Sequence, residues 1–303
     1  MDATLARFVE DGALDAATAA DAVATLGEAG VAVVRGAVDA RALAAVSRVC
    51  AIKVAAVRRA LAARADAPHE RAPETFAFRD VCGRGKGRYD VKLPEAQDLV
   101  DTLLAPSGGG ASCMDVVRAA LGGDPKLLAL GVVVSAPGTA VQRWHADGAA
   151  LFPETGFCSL PVHALTVFLP LVDVGPRQGP TQFIPGTHRG TAVVLCDGDA
   201  VTHAPAAEPL LRTGDAVIFD YRLVHRGGAN SSDEDRPMLY CAFGRSWFVD
   251  DFNFPSDVPL LGDAPPPAND EPTGQAAADA AAHGAGKPPG EAAGDDATKR
   301  SNQ

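Results

Sequence analysis

Near residue 122 the apolar period of this sequence changes, and that change limits the folds open to it more than any other feature. Upstream, Leu43, Val46, Cys50, Val54, Val57 and Leu61 recur at steps of three and four, the spacing that puts side chains on one face of an α-helix. Asp39 stands where an N-cap would open that helix, and an earlier helix is expected over 15–29, ended by Gly30 and followed by a short apolar strand from Val31 to Val34. Pro94 opens a short helix reaching Leu104, and Ser112 with Asp115 predicts a capping box for a helix that stops at Gly122-Gly123. Downstream the pattern becomes short runs parted by Gly and Pro: Leu127 to Ser135, Val141 to Asp147, Leu165 to Val172, Gln182 to Ile184, Ala192 to Leu195, Ala216 to Val224 and Met238 to Phe243. Helices first and many short strands after imply a mainly β fold with flanking helices (α+β), an antiparallel barrel or jelly roll with the N-terminal helices packed on it. With 303 residues, 47% of them hydrophobic, one such domain over 1–261 uses most of the chain. From 262 to 303 the composition reduces to Ala, Gly, Pro and Asp with few large apolar side chains, so a disordered tail is expected there.

A net charge of -11 argues against nucleic acid, whose binding needs clustered cations against phosphates. It also disfavours a strongly anionic substrate. No apolar run is long enough to span a bilayer, and Met1 to Phe8 lack a basic stretch followed by an apolar block. The six cysteines stand singly with no Cys-x-x-Cys, as suits reduced thiols. The expectation is a cytoplasmic protein, by default a monomer, acting on a small molecule. The one basic, glycine-rich segment, Gly83 to Pro94, lacks the Gly-Lys-Ser/Thr ending of a phosphate loop and reads as a mobile loop leading into a strand.

The chemistry concentrates in Gln142-Arg143-Trp144-His145-Ala146-Asp147-Gly148. On a strand, side chains two apart leave the same face, so His145 and Asp147 project together. In Asp215 to His225 the odd positions Val217, Phe219, Tyr221, Leu223 and His225 are expected to share an inner face, carrying a second imidazole inward. Two histidines and one carboxylate form the facial triad of non-haem Fe(II) oxygenases, which leaves half of an octahedral metal open. Eleven residues beyond His225 stands Arg236, a permanent cation whose planar fork matches a carboxylate.

With these residues, the run Gly179-Pro180-Thr181-Gln182-Phe183-Ile184-Pro185-Gly186-Thr187-His188, and the stretch from Phe219-Asp220-Tyr221 through His225-Arg226-Gly227 to Arg236-Pro237, the sequence resembles the phytanoyl-CoA dioxygenase-like branch of the Fe(II)/2-oxoglutarate-dependent oxygenases, from about residue 20 to about 256. The resemblance implies a double-stranded β-helix (jelly roll, cupin-like), with iron on His145, Asp147 and His225 and the far carboxylate of 2-oxoglutarate on Arg236. It further implies a co-substrate hydrogen bond from Thr181 and a place beside the same pocket for Arg88 or Lys92. The implied reaction consumes O2 and 2-oxoglutarate, releases succinate and CO2 and hydroxylates a C–H of a small organic or lipid-like molecule, with ascorbate as a candidate reductant. Two departures stand out: Pro-Gly-Ser-His is here Pro-Gly-Thr-His, and the serine that members acting on phytanoyl-CoA carry two residues after the distal histidine is here Gly227. A halogenase reading fails because Asp147 fills the place chloride would need. The alternatives carried are a non-catalytic metal-binding or sensing protein on the same fold and an iron dioxygenase that does not use 2-oxoglutarate; Arg236 tells against the latter.

His163 and His188 are read as structural hydrogen-bonders and His69, His203 and His283 as exposed. Trp247, Phe248, Asp250, Asn253 and Phe254 are expected to close the barrel edge more than to line a pocket.

Overall fold

The computed structural model describes residues 6–63, 76–93, 100, 103–104, 112–148, 151–152, 160–189, 205–250, 253–254 and 256–262. The expected tail of 262–303 apart from Gly262, the Ala192 to Leu195 strand, most of the Pro94 to Leu104 helix and His69, His203 and His283 lie outside them.

Helix α1 (Ala19–Ala29) begins later than the sequence suggests. Asp15 and Ala16 run extended beside Val33, the Ala16 N–H bonding Val33 O at 2.8 Å, so this stretch is not free to coil. Thr18 then caps the helix: its hydroxyl accepts from Asp21 N and the Asp21 carboxylate accepts from Thr18 N, both at 3.1 Å. Gly30, at φ 82°, closes it in the left-handed conformation that glycine alone adopts without strain. Strand β1 (Val31–Val34) matches its expected bounds. In α2 (Ala40–Ala63) the Asp39 carboxylate accepts from Arg41 and Ala42 N–H, and all six apolar stripe residues are buried. At about 1.5–3 kcal/mol for each large side chain fully buried, that stripe anchors the helix. In α3 (Cys113–Leu121) the expected capping box does not form. The Ser112 hydroxyl donates instead to Leu104 O at 3.2 Å, because the preceding chain brings that carbonyl within reach.

The remaining strands are β2 (Val81–Gly83), β3 (Arg88–Lys92), β4 (Lys126–Ser135), β5 (Ala164–Pro170), β6 (Thr181–Phe183), β7 (Ala216–Asp220), β8 (His225–Gly227) and β9 (Arg236–Gly244). They form a seven-stranded antiparallel sheet in the order β1-β7-β5-β9-β4-β3-β2 and a two-stranded sheet, β6-β8. The fold is the expected mainly β jelly roll with helices. Alternation gives the large sheet two apolar faces. On one, Val91, Val132, Leu165, Val167, Leu239 and Phe243 join a core with residues of all three helices. On the other, Val31, Val33, Val217, Phe219 and Met238 pack with Phe183 of the small sheet.

Three local expectations are corrected. The strand from Ala216 to Val224 ends at Asp220: Leu223 N bonds Asp220 O at 2.9 Å and Arg222 folds back onto the Asp220 carboxylate. This tight turn passes the chain to the second sheet, so His225 opens β8 rather than ending the strand of Val217 and Phe219. The stretch Val141 to Asp147 joins no ladder, bridging only at His145 to His225. The segment Gly83 to Pro94 does hold a loop leading into a strand, β3, but its first residue, Gly83, belongs to β2, which pairs with β3 as a hairpin, and Arg88 is fully buried.

Candidate active site

The single bridge between His145 and His225 organises the site. Each histidine donates its backbone N–H to the other's carbonyl, at 3.0 and 2.8 Å, bringing the two imidazoles to 4.5 Å between centroids. Each Nδ1 lies 2.9 Å from the carbonyl two residues earlier, Arg143 O and Leu223 O. A carbonyl only accepts, so both Nδ1 atoms carry hydrogen and both Nε2 atoms are left as bare donors to a metal. Asp147 is held by its own N–H on Tyr221 O, at 3.1 Å, and Gly148 lies flat on the Tyr221 ring, where a Cβ would meet Cε1 at 2.8 Å. Asp147 Oδ1 stands 3.4 Å from His225 Nε2, while Oδ2 accepts from the Thr166 hydroxyl at 2.9 Å. One donor atom from each of His145, Asp147 and His225 lies within 4.8 Å of the others, a cluster that could hold a metal ion.

The electrostatics treat the two imidazoles differently. Burial, helped by the neighbouring His225, pushes His145 down to about 4, which keeps it neutral as a ligand must be. Burial also opposes charge on His225, but the Asp147 carboxylate overrides it and raises this imidazole above its ordinary value. Burial likewise works against ionised Asp147; His225 and His145 reverse it and hold the carboxyl low. Phe219 and Phe183, centred 4.8 and 5.9 Å from the His225 ring, wall it from water.

A second feature lies at the ends of β3, β4 and β9. Ser135 Oγ accepts from Arg88 Nε and from an Arg236 Nη, both at 2.8 Å, and Arg88 also donates to Gly228 O at 2.7 Å. Register explains the meeting, since Ser135 pairs with Arg88 on one side and Arg236 on the other. Among the described residues neither guanidinium meets a carboxylate, and Arg236 Nε is buried without a partner. Burial lowers Arg236 to about 10, and burial with the like charge of Arg236 lowers Arg88 to about 9. Two desolvated cations without a counter-charge fit an incoming carboxylate.

Of the sequence candidates, His145, Asp147 and His225 come together, and Arg88 sits with Arg236. Lys92 lies elsewhere, with Nζ 5.5 Å from the Phe254 ring. Thr181 is buried on β6 opposite Gly227, on the same face as Phe183, which stacks on His225. A Cβ on Gly227 would meet Gln142 Oε1 at 2.7 Å and Arg88 Cζ at 3.1 Å, so a larger residue there requires both side chains to shift. His163 and His188 are buried away from the cluster. The C-terminal patch divides: Trp247 is exposed, whereas Asn253 Nδ2 reaches Tyr221 Oη at 2.7 Å and Asp147 O at 3.4 Å, and Tyr221 Oη donates to Asp250 at 2.5 Å. Sequence reasoning missed Ser135, Thr166 and Gln142. The signal for the first two was a lone hydroxyl within an otherwise apolar strand.

The sequence signature of the family described as phytanoyl-CoA dioxygenase (PhyH) matches residues 26–238. Among curated proteins the chain is 32% identical to dioxygenase hkm4 of Aspergillus hancockii over 112 residues, 37% of this chain and 35% of that protein. It is 33% identical to dioxygenase easH of Epichloe festucae var. lolii over 105 residues, 34% of this chain and 53% of that protein. The matched regions thus span a third to a half of these relatives. Among solved structures, AviO1 from Streptomyces viridochromogenes Tue57 superposes with a TM-score of 0.54 at 19% identity, covering 78% of this chain and 98% of that one. EctD from S. alaskensis with bound Fe gives 0.52 at 20%, covering 78% and 87%. At such identities these structures attest the fold, and the match to the family signature runs through the cluster to Arg236. The chain belongs to the phytanoyl-CoA dioxygenase (PhyH) family.

Proposed function

We propose that this protein is a dioxygenase that binds Fe(II) through His145, Asp147 and His225, takes 2-oxoglutarate as co-substrate and hydroxylates an unactivated C–H of a small organic molecule. The observation that carries the reading is the pairing of a two-histidine, one-carboxylate cluster, each Nδ1 on a backbone carbonyl, with a buried arginine pair that meets no carboxylate among the described residues. The chemistry that iron, 2-oxoglutarate and O2 supply when bound is oxidative decarboxylation to succinate and CO2, coupled to insertion of one oxygen into the substrate C–H. The chain's own part is positioning. Arg236 anchors the far carboxylate, Arg88 adds a second cation beside it and Thr181 offers a hydroxyl. Phe183 and Phe219 keep water from the His225 side. The space of Gly227, filled by Gln142 and Arg88, favours a substrate other than phytanoyl-CoA.

Arg236→Ala tests the co-substrate assignment. Truncating one partner of a buried charge-assisted pair costs about 2–5 kcal/mol, so the 2-oxoglutarate concentration needed for half-maximal succinate formation should rise roughly 30-fold to several thousand-fold. Arg236→Lys should fall between, keeping the charge and losing the fork. Unaltered dependence in Arg236→Ala rejects the assignment while leaving the metal site standing.

A further inference from the structure

We propose that Thr166 is a positioning residue that keeps Asp147 a one-oxygen metal ligand and so preserves the coordination position that O2 needs. The proposal rests on the iron and 2-oxoglutarate reading above. The two Asp147 oxygens are treated differently: Oδ1 faces His225 Nε2 at 3.4 Å, whereas Oδ2 is tied to the Thr166 hydroxyl at 2.9 Å. Thr166 is buried within β5, and its cross-strand neighbours, Phe219 and Ala242, offer the hydroxyl no competing side-chain partner. A β-branched side chain has few χ1 choices, so the strand itself sets where that hydroxyl points.

Coordination arithmetic gives the bond its importance. An octahedral metal has six positions. Two imidazoles and one carboxylate oxygen fill three, a chelating 2-oxo acid fills two, and one is left. If Asp147 chelated with both oxygens, none would remain. By donating to Oδ2, Thr166 draws that oxygen away and so biases Asp147 against the closed shell.

The test uses the full chain loaded with Fe(II) under anaerobic conditions, comparing wild type with Thr166→Val, which removes the hydroxyl at nearly constant volume, and Thr166→Ser, which keeps it. Thr166→Ala serves if the valine variant fails to fold. Two readouts other than turnover are followed: the visible charge-transfer band as 2-oxoglutarate is added, and the S = 3/2 electron paramagnetic resonance signal as nitric oxide is added as a probe of the open position. The expected result is that Thr166→Val binds Fe(II) but needs at least about tenfold more 2-oxoglutarate or nitric oxide, the scale of effect usual when a partner of a metal ligand is removed, with Thr166→Ser close to wild type. Wild-type titrations in a folded valine or alanine variant overturn the proposal. So does loss of Fe(II) binding itself, which would mean that the hydroxyl places the carboxylate without limiting it to one oxygen. A wild type that forms no 2-oxoglutarate-dependent band would defeat the underlying functional reading as well, whereas a normal wild type with an indifferent Thr166→Val defeats only the role of Thr166.

Discussion

His145 and His225 share one local device, a ring nitrogen bonded to the carbonyl two residues back. That device depends on the backbone path just before each histidine, which residue identities do not reveal. The identities were nevertheless sufficient to nominate the cluster, because His-x-Asp, a distant histidine and a later arginine form a donor set that few other structures need. Replacing His145, Asp147 or His225 by alanine removes one of three donors and should abolish tight Fe(II) binding together with succinate formation, the two losses tracking one another. Circular dichroism should still report a folded chain. A purified variant that retains both binding and turnover would eliminate that residue as a ligand. Register separates Arg88 from Lys92, which the sequence left open: Arg88 pairs with Ser135, beside Arg236, and Lys92 with Gly131, four residues away.

Among the elements, the strands that end at the site were the least legible. The alternation from Val217 to His225 reads as one strand, but the Asp220 carboxylate captures Arg222 and its carbonyl captures Leu223 N, so the chain turns into a second sheet. Helix α2 was read correctly down to its cap and stripe because those signals are local. The turn before β6 gives a direct test of the two-sheet arrangement. Gly179 has φ 74°, and a Cβ there would lie 2.4 Å from Ala229 O. Gly179→Ala should therefore destabilise the protein by at least about 2 kcal/mol, combining left-handed strain with a backbone clash; an unchanged denaturation midpoint would refute that packing. His163, at the start of β5, gives a pH test. Burial, with Arg222 and Arg245 nearby, pushes it down to about 4, against an opposing pull from Asp220. Its folded value lies below its unfolded one, so between about 6.5 and 4 the unfolded chain binds a proton that the native chain refuses, and stability falls as pH falls through that window. The stability advantage of wild type over His163→Gln should shrink on acidification across it. A pH-independent difference would contradict a buried neutral imidazole.

For the molecule as a whole, the order of helices and short strands made the jelly roll legible, while the pairing that builds the site was not, since β4 meets β9 across more than a hundred residues and pattern alone assigns no such partner. That pairing places the arginine pair around Ser135, and the β6-β8 sheet holds His225 against Phe183 and Phe219. On the proposed reading the fold separates two tasks, metal ligation and carboxylate anchoring, and a single co-substrate would join them. The most direct measurement of that claim is visible absorption of the metal-free protein under anaerobic conditions as Fe(II) and then 2-oxoglutarate are added. The expected result is a metal-to-ligand charge-transfer band that appears only with both, saturates at one equivalent of iron per chain, is lost in His225→Ala and requires far more 2-oxoglutarate in Arg236→Ala. An iron-loaded wild type whose spectrum does not change on adding 2-oxoglutarate would contradict it.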